Sequence, residues 1–228
     1  MSRPKAGYSV DGEPVPGTTT ISGMLNKPAL VAWAGKLCAE AAWRAGKAGE
    51  PLPKWNDVLY GTRDDAASAG TLCHDLAHAY VLGVELPAVP DTDVGRAGWN
   101  AFENFVHWLD ASALKIEAHE RPLVSTQFRY GGTPDALAHM SGKTFLVDYK
   151  TSSGVYAEML LQMAAYRQLL HEVEQMDVAG VHLVRFSRES GDFAHHYFGP
   201  DVLDLGWTIF RALLGVYAPL KQLEKRVR

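Results

Sequence analysis

The sequence predicts one α/β domain in which a central mixed β-sheet is flanked by helices. Three observations support this fold class. Apolar residues recur at helical spacing over the first half of the chain, strand-like segments begin near residue 115, and helical spacing returns before and after the last strands. The order of helices, three strands, helix, two strands and helix is typical of a mixed sheet with helical layers. A length of 228 residues suits a single domain of this kind.

The composition narrows the class of protein. Hydrophobic residues make up 47% of the chain and charged residues 21%, as in globular proteins, so a disordered, collagen-like or coiled-coil chain is excluded. The start of the chain has no apolar segment, and the most apolar stretch, residues 207–220, is short and contains Arg211. We therefore expect a soluble, cytoplasmic protein that does not contact membranes.

Cysteine content and charge limit the possible cofactors and partners. Two cysteines, Cys38 and Cys73, are too few for a disulfide scaffold, a zinc ribbon or a four-cysteine iron-sulfur cluster. The net charge of -4 indicates that the chain as a whole does not attract nucleic acid. Any contact with nucleic acid must therefore be made by a local surface.

The predicted elements divide the chain into a mainly helical part (1–114), a sheet-containing core (115–199) and a closing helical part (200–228). Threonines at 18–20 and Ser22 offer N-cap oxygens before the first long helix, and the later helices show apolar residues at helical spacing. The predicted helices cover residues 28–45, 63–82, 94–114, 156–173 and 200–223. The predicted strands cover residues 116–128, 133–139, 144–151, 180–186 and 192–197.

A hairpin between the second and third strands brings acidic residues together. Ser141-Gly142 suits a two-residue turn, and opposed residues would then have numbers that sum to 283. Asp135 falls opposite Asp148, where like charges repel. Lys150 lies on the same strand face as Asp148 because side chains two positions apart share a face. Two carboxylates and an ammonium group are thus predicted to converge.

This cluster favours one kind of chemistry. Carboxylate oxygens suit Mg²⁺ or Mn²⁺, which keep several waters and take one or two protein carboxylates together with substrate phosphate. Such a metal site favours phosphodiester hydrolysis, in which Lys150 would orient the water or stabilise the developing negative charge. The alternative interpretation is an ordinary cross-strand salt-bridge cluster.

The chain contains five short motifs, which are, in chain order, Gly70-Thr-Leu-Cys-His74, Glu120, Pro134-Asp135, Asp148-Tyr149-Lys150 and Gln162-Met-Ala-Ala-Tyr166. Motifs of this kind in this order resemble the PD-(D/E)XK nuclease superfamily, in the RecB-like exonuclease branch found in phages and bacteria. The resemblance covers about residues 18–190, and the segment TTISGMLNKPALVAWA also resembles the opening of phage members.

The resemblance implies a restriction-endonuclease-like fold and a divalent-metal-dependent deoxyribonuclease. It implies an exonuclease that acts at DNA ends in phage or bacterial recombination, repair or degradation, with a recombination or single-strand-binding protein as a possible partner. The metal ligands that it implies are His74, Asp135, Asp148 and the Tyr149 carbonyl. It makes Lys150 the catalytic lysine, and because members with an iron-sulfur cluster use four cysteines, we expect none here.

The acidic residue on the first strand has two candidates. The resemblance matches Glu120 best, acting through a second metal or a water. Glu117, three residues earlier, is the alternative, because only the strand register decides which of the two side chains faces the site.

Gln162 and Tyr166 are predicted to serve the same site. At positions i and i+4 they share one helix face, which follows directly after the Lys150 strand. A buried amide must be hydrogen-bonded, so Gln162 either bonds core backbone or points at the site. We favour a role in orienting Lys150 or the substrate phosphate, with core packing of Tyr166 as the alternative.

The first long helix is the predicted wall for a single DNA strand. Lys27 and Lys36 supply positive charge, and Trp33 supplies a surface on which a base can stack.

Two further functions remain open at this point. One is a nucleic-acid-binding module of the same fold with a weak or inactive site. The other, more remote, is a zinc metalloprotease, because His74 and His78 share a helix face, with Asp75 as the base and the distant Glu103 as a third ligand.

Overall fold

The structure is a computed structural model that describes residues 7–25, 28–118, 121–150, 152, 154–186 and 193–227, with the side chains of 28–30, 60–68, 118 and 193 excepted. It shows a central mixed sheet with helices on both faces, so the predicted fold class is confirmed. Within the described ranges, no helix has both the length and the apolar character that crossing a bilayer requires.

The described chain contains six helices and nine strands. The helices are α1 Thr18–Ser22, α2 Pro28–Ala48, α3 Trp55–Leu82, α4 Asp93–Ala111, α5 Ala157–Glu174 and α6 Pro200–Arg226. The strands are β1 Tyr8–Val10, β2 Glu13–Val15, β3 Lys115–Ala118, β4 Leu123–Ser125, β5 Tyr130–Gly132, β6 Ala136–Met140, β7 Lys143–Lys150, β8 Val178–Phe186 and β9 Phe193–Phe198.

The main sheet has the strand order β3-β6-β7-β8-β9. The pair β7–β8 is parallel, and the other neighbouring pairs are antiparallel. The parallel pair needs a crossover connection, which α5 supplies. Strand β7 therefore lies in the centre of the sheet, and its carboxyl end meets the beginning of β6.

Two apolar cores lie on opposite faces of this sheet. Successive side chains of β7 alternate between them, since neighbouring residues of a strand point to opposite faces. Leu146 belongs to the core under α1, α5 and α6, whereas Val147 and Tyr149 belong to the core under α3 and α4. Asp148 follows the alternation of Leu146 and is buried on the α5 side.

The β6–β7 hairpin has the predicted turn and register. Ser141 and Gly142 both have positive φ angles, 52° and 74°, as a tight turn between antiparallel strands requires. The paired residues run from Met140 with Lys143 to Ala136 with Val147, so their numbers sum to 283. The predicted register is confirmed. The strand begins three residues later than predicted, however, so Asp135 lies just outside the ladder.

The predicted strand 116–128 is wrong as a single element. It is two short strands, β3 and β4, which belong to different sheets. After β4 the chain turns because the Glu172 carboxylate of α5 accepts hydrogen bonds from the Ser125 hydroxyl (2.6 Å) and the Gln127 backbone N–H (3.2 Å). Glu172 lies 45 or more residues from the residues of this turn, so the periodicity of the local sequence does not predict the turn.

The structure also extends the predictions at the N-terminal side. Residues 8–15, for which no helix or strand was predicted, form the β1–β2 hairpin, and α3 begins eight residues earlier than predicted. Tyr8 of this hairpin packs against Gly131, where an added Cβ would lie 2.2 Å from the tyrosine ring. Its hydroxyl lies 2.9 Å from the Thr133 hydroxyl. The hairpin thus holds the segment that leads into Asp135.

Candidate active site

The convergent groups lie at the carboxyl end of β7, where three other parts of the chain meet it. Strand β7 carries three of the groups, and the bend before β6, helix α3 and helix α5 carry the others. In chain order the groups are His74, Asp135, Asp148, the Tyr149 carbonyl, Lys150, Gln162 and Tyr166. Each has a direct contact with at least one other member, so the structure brings these predicted residues together.

Asp148 and Lys150 form a buried ion pair at the centre of this cluster. The Lys150 Nζ lies 2.7 Å from Asp148 Oδ2, and Asp148 is 1% exposed. The Lys150 ammonium is the hydrogen-bonding neighbour of Asp148 Oδ2, whereas Asp148 Oδ1 has no hydrogen-bond partner within the described part of the chain. The lysine therefore balances the charge of Asp148 and leaves the lone pairs of Oδ1 unsatisfied.

The charges of this pair perturb each other. Burial raises the pKa of Asp148 to about 6; Lys150 opposes this shift and Asp135 adds to it. Burial lowers the pKa of Lys150, but attraction to Asp148 and Asp135 outweighs burial, and the pKa is raised. Because the pKa of Lys150 is raised, its ammonium group stays charged.

Asp135 occupies the place beside Asp148 that the hairpin register predicts. Its Oδ2 accepts a hydrogen bond from the Tyr149 backbone N–H at 3.3 Å, so a carboxylate continues the β6–β7 ladder beyond its last backbone pair. The same oxygen lies 3.8 Å from His74 Nδ1. Asp135 thus joins the strand pair to helix α3.

His74 reaches the strand end from α3. Its neighbours Cys73, Leu76 and Ala77 are fully buried against the sheet, and this packing fixes the helix face that carries the histidine. The His74 Nε2–H donates to the Tyr149 carbonyl oxygen at 3.0 Å. Because 75 residues separate these partners, only the folded chain unites them.

The donor set fits a divalent cation that prefers oxygen. The Asp135 and Asp148 carboxylates and the Tyr149 carbonyl would supply hard oxygen donors. His74 Nε2 would bind a cation only after losing the hydrogen that it donates to the Tyr149 carbonyl. Asp148 Oδ1, which has no hydrogen-bond partner within the described residues, supplies free lone pairs. Within the described ranges, no three His, Cys, Asp or Glu side chains are arranged to hold a metal ion by themselves, and this applies both to His74, Asp135 and Asp148 and to the zinc alternative with His78. Mg²⁺ keeps several waters and needs only one or two protein carboxylates.

Helix α5 supplies a hydrogen-bonded chain that ends at Lys150. The Lys150 Nζ donates to Gln162 Oε1 over a long 3.5 Å, and Gln162 Nε2 donates to the Tyr166 hydroxyl at 2.6 Å. Burial raises the pKa of Tyr166, and Asp135 raises it further, so the hydroxyl keeps its proton. The amide of Gln162 is therefore held from one side by a neutral phenol and faces the ammonium on the other.

Two residues that sequence reasoning did not assign to the site support this series of hydrogen bonds. The Thr18 side chain of α1 hydrogen-bonds the Tyr166 side chain. An added Cβ on Gly132 would lie 2.5 Å from Tyr166 Cε1, so the ring passes directly over a glycine. Thr18 had a signal in the sequence only as an N-cap candidate. The close approach at Gly132 had none, because it depends on the packing of β5 against α5.

The remaining predicted residues lie elsewhere. Lys27 and Glu120 fall outside the described residues. Glu117 lies opposite Leu137, and its carboxylate is 75% exposed and 3.7 Å from His139 Nε2. Trp33 is half-buried on α2; Lys36 is exposed and lies 3.8 Å from Glu40. Their roles at the site stay predictions.

Comparisons with known proteins give structural matches. No protein-family model matches the chain, and no curated protein matches it significantly. A provisionally assigned exonuclease from Eubacterium rectale has a TM-score of 0.46 at 9% identity, with 68% of each chain covered. The complex of LHK-Exo with dAMP has a TM-score of 0.39 at 12% identity and covers 72% of this chain and 90% of that chain. LHK-Exo, described as an alkaline exonuclease from Laribacter hongkongensis, also matches without dAMP, with a TM-score of 0.35 at 12% identity over 72% of this chain and 92% of that chain.

The buried ion pair gives a prediction about stability. Lys150→Met leaves Asp148 buried without its counter-charge and should lower the free energy of unfolding by about 3 kcal/mol. Lys150→Met combined with Asp148→Asn should recover most of this loss, because the stranded charge is gone. Urea denaturation of the two single variants and the double variant measures the coupling.

Lys221→Met is the matched control, since Lys221 lies 2.8 Å from Glu224 in an exposed pair. It should change the free energy of unfolding by less than about 0.5 kcal/mol. Equal stability of Lys150→Met and the wild type would show that Lys150 does not compensate Asp148.

Proposed function

We propose that this protein is a divalent-metal-dependent deoxyribonuclease that hydrolyses phosphodiester bonds. The observation that carries the proposal is the buried Asp148 carboxylate, one oxygen of which accepts no hydrogen bond within the described part of the chain, beside a second carboxylate and a half-buried lysine. A structural salt bridge gains little from such an arrangement, because burying a charge without satisfying its lone pairs is costly. A site that binds a cation and a phosphate uses those lone pairs.

The chain's own residues have separable roles in this proposal. Asp135, Asp148, the Tyr149 carbonyl and His74 would hold Mg²⁺ or Mn²⁺. When bound, the metal supplies charge neutralisation and lowers the pKa of a water. The Lys150 ammonium stabilises the negative charge that develops on the scissile phosphate. Gln162 holds Lys150 in place, and Tyr166 holds Gln162.

We further propose that the substrate is a DNA end. The net charge of -4 means that an anionic polymer must be drawn in by a local surface. Helix α2 packs against α3, which carries His74, and it presents Trp33 and Lys36 together with exposed Trp43, whose ring lies 4.3 Å from Lys47 Nζ. Bases stack on such rings and cations hold the backbone, so α2 suits a single strand that leads towards the site.

The resemblance supports the wider setting. A member of the RecB-like branch would work in the cytoplasm of a bacterium or a phage-infected cell, in DNA recombination, repair or degradation, beside a recombination or single-strand-binding protein. Glu120 would add a further carboxylate to the site.

Activity should require both carboxylates and a metal. Asp135→Asn and Asp148→Asn should each lower the rate of DNA hydrolysis by about a thousandfold or more, since each removes charge that the metal and transition state need. Mg²⁺ or Mn²⁺ should support cleavage, Ca²⁺ should bind without supporting it, and EDTA should abolish it. Rates on end-labelled DNA and calorimetric titration with Mn²⁺ measure these effects.

The control is Asp177→Asn, because Asp177 is an exposed carboxylate beside His171, and this variant should keep the wild-type rate and Mn²⁺ isotherm. Cleavage that persists undiminished in excess EDTA would exclude the metal mechanism.

Tyr166 and Tyr130 offer a matched test of the hydrogen bonds that link Tyr166 and Gln162 to Lys150. Both rings are buried, and Tyr130 donates its hydroxyl hydrogen to the Ala165 carbonyl at 2.8 Å, away from Lys150. Tyr166→Phe should lower the hydrolysis rate about tenfold or more with unchanged Mn²⁺ binding, whereas Tyr130→Phe should cost about 1 kcal/mol of stability at an unchanged rate. Hydrolysis rates and melting curves of both variants distinguish a catalytic role of the hydroxyl from a role in core packing. A wild-type rate for Tyr166→Phe would assign its hydroxyl to the core.

Exonuclease action requires free ends. Linear single-stranded DNA should be degraded progressively to short products, and a covalently closed single-stranded circle of the same sequence should resist. DNA binding should weaken steeply with salt, because a few local cations hold the backbone. Gel analysis of both substrates at matched concentration measures the difference. Equal degradation of circles and linear strands would make the enzyme an endonuclease.

A further inference from the structure

Helix α6 carries an exposed apolar stripe. Five aliphatic side chains of this helix and that of Val227, the residue directly after it, are exposed, although the helix belongs to a folded domain. They are Leu205 (63%), Ile209 (40%), Val216 (53%), Leu220 (37%), Leu223 (59%) and Val227 (77%). With 3.6 residues per turn, these positions fall on one narrow face that runs the length of the helix. An apolar surface of this extent marks an interaction site more often than a solvated one.

The stripe is separate from the face that packs on the domain. Leu203, Gly206 and Phe210 are the buried residues of α6, and Tyr217 is the last of its residues that packs against the core cluster within the described chain. The helix continues for nine residues to Arg226. Pro219 lies in this extension, where it removes one helical hydrogen bond. Short helices without packing are marginal in water, so the extension needs something to pack against.

Four residues of the stripe lie at the spacing of a helix–helix seam. Leu205, Ile209, Val216 and Leu223, with Ala212 and Pro219 between them, occupy positions that alternate in steps of four and three, as in a two-helix coiled coil, and Leu220 lies beside this seam. Placed antiparallel against a copy of itself, the seam is self-complementary. Leu205 then meets Leu223 of the other copy, and Ala212 meets Val216. Such an interface has twofold symmetry, so each copy uses the same surface and the dimer leaves no unpaired copy of it to bind further chains.

Charge along α6 favours the antiparallel arrangement. The N-terminal end carries Asp201 and Asp204, of which Asp204 pairs with Arg167, and the C-terminal end carries Lys221, Lys225 and Arg226 against Glu224. Antiparallel packing brings the acidic end of each helix to the basic end of the other. Parallel packing would place like charges together.

We propose that α6 is a dimerisation helix, and that two copies of this chain associate through antiparallel packing of their exposed stripes. The dimer buries the helix extension that the domain leaves uncovered. This proposal is independent of the nuclease chemistry, because α6 contributes none of the site residues.

Sedimentation equilibrium of the full chain tests the proposal. The wild type should be a dimer at micromolar concentration, and Val216→Glu and Leu223→Glu should weaken the association at least a hundredfold and leave a folded monomer with an unchanged circular dichroism spectrum. Leu52→Glu is the control, since Leu52 is 71% exposed and lies outside α6, and it should stay dimeric. A wild type that is monomeric throughout overturns the proposal, as does a dimer that survives both α6 substitutions.

Charge exchange and crosslinking test the direction. Asp201→Lys and Arg226→Glu should each weaken the dimer about fivefold, and their combination in one chain should restore it. In a Cys38→Ser background, a mixture of Leu205→Cys and Leu223→Cys chains should form mixed disulfides more readily than either chain alone. Crosslinking of Leu205→Cys to itself would overturn the antiparallel arrangement. A monomer that binds anionic vesicles would assign the stripe to a membrane surface instead.

Discussion

The organisation of this molecule depends on the burial of one carboxylate. Asp148 lies in the central strand of the sheet, where side-chain alternation places it among apolar neighbours, and Lys150 balances its charge. Desolvation of such a group is expensive, so the surrounding elements must supply compensation. Lys150 in turn needs Gln162, and Gln162 needs Tyr166, whose ring fits only because position 132 lacks a side chain. A single buried charge thus determines the packing of β5, α1 and α5.

The part of the site that was predictable from sequence is the part made by local geometry. A two-residue turn and the alternation of a strand place Asp135, Asp148 and Lys150 together, and the structure has that turn and register. Helical spacing likewise places Gln162 and Tyr166 on one face. These relations join partners that lie at most 15 residues apart, so the turn and the period of the local sequence determine them.

The features that were not predictable depend on long-range packing. The turn after β4 is held by Glu172, and the segment before Asp135 is held by Tyr8, which lies 125 residues from its hydroxyl partner Thr133. Apolar periodicity cannot reveal contacts at such separations, and for this reason the 116–128 segment was interpreted as one strand. His74 lies between the two cases, because its motif matched a family pattern while its contact with the Tyr149 carbonyl is purely tertiary.

The sequence positions of the site groups have a consequence for the order in which the site forms. Asp135, Asp148, Lys150, Gln162 and Tyr166 all lie within 32 consecutive residues, on a tight hairpin and the helix that follows it. Contacts of short sequence separation form early, since little loop entropy opposes them. The histidine arrives with the helical half, which must dock across the whole sheet. The hairpin and α5 thus bring both carboxylates and the lysine together through short loops, whereas His74 reaches the strand end only when α3 has packed on the sheet.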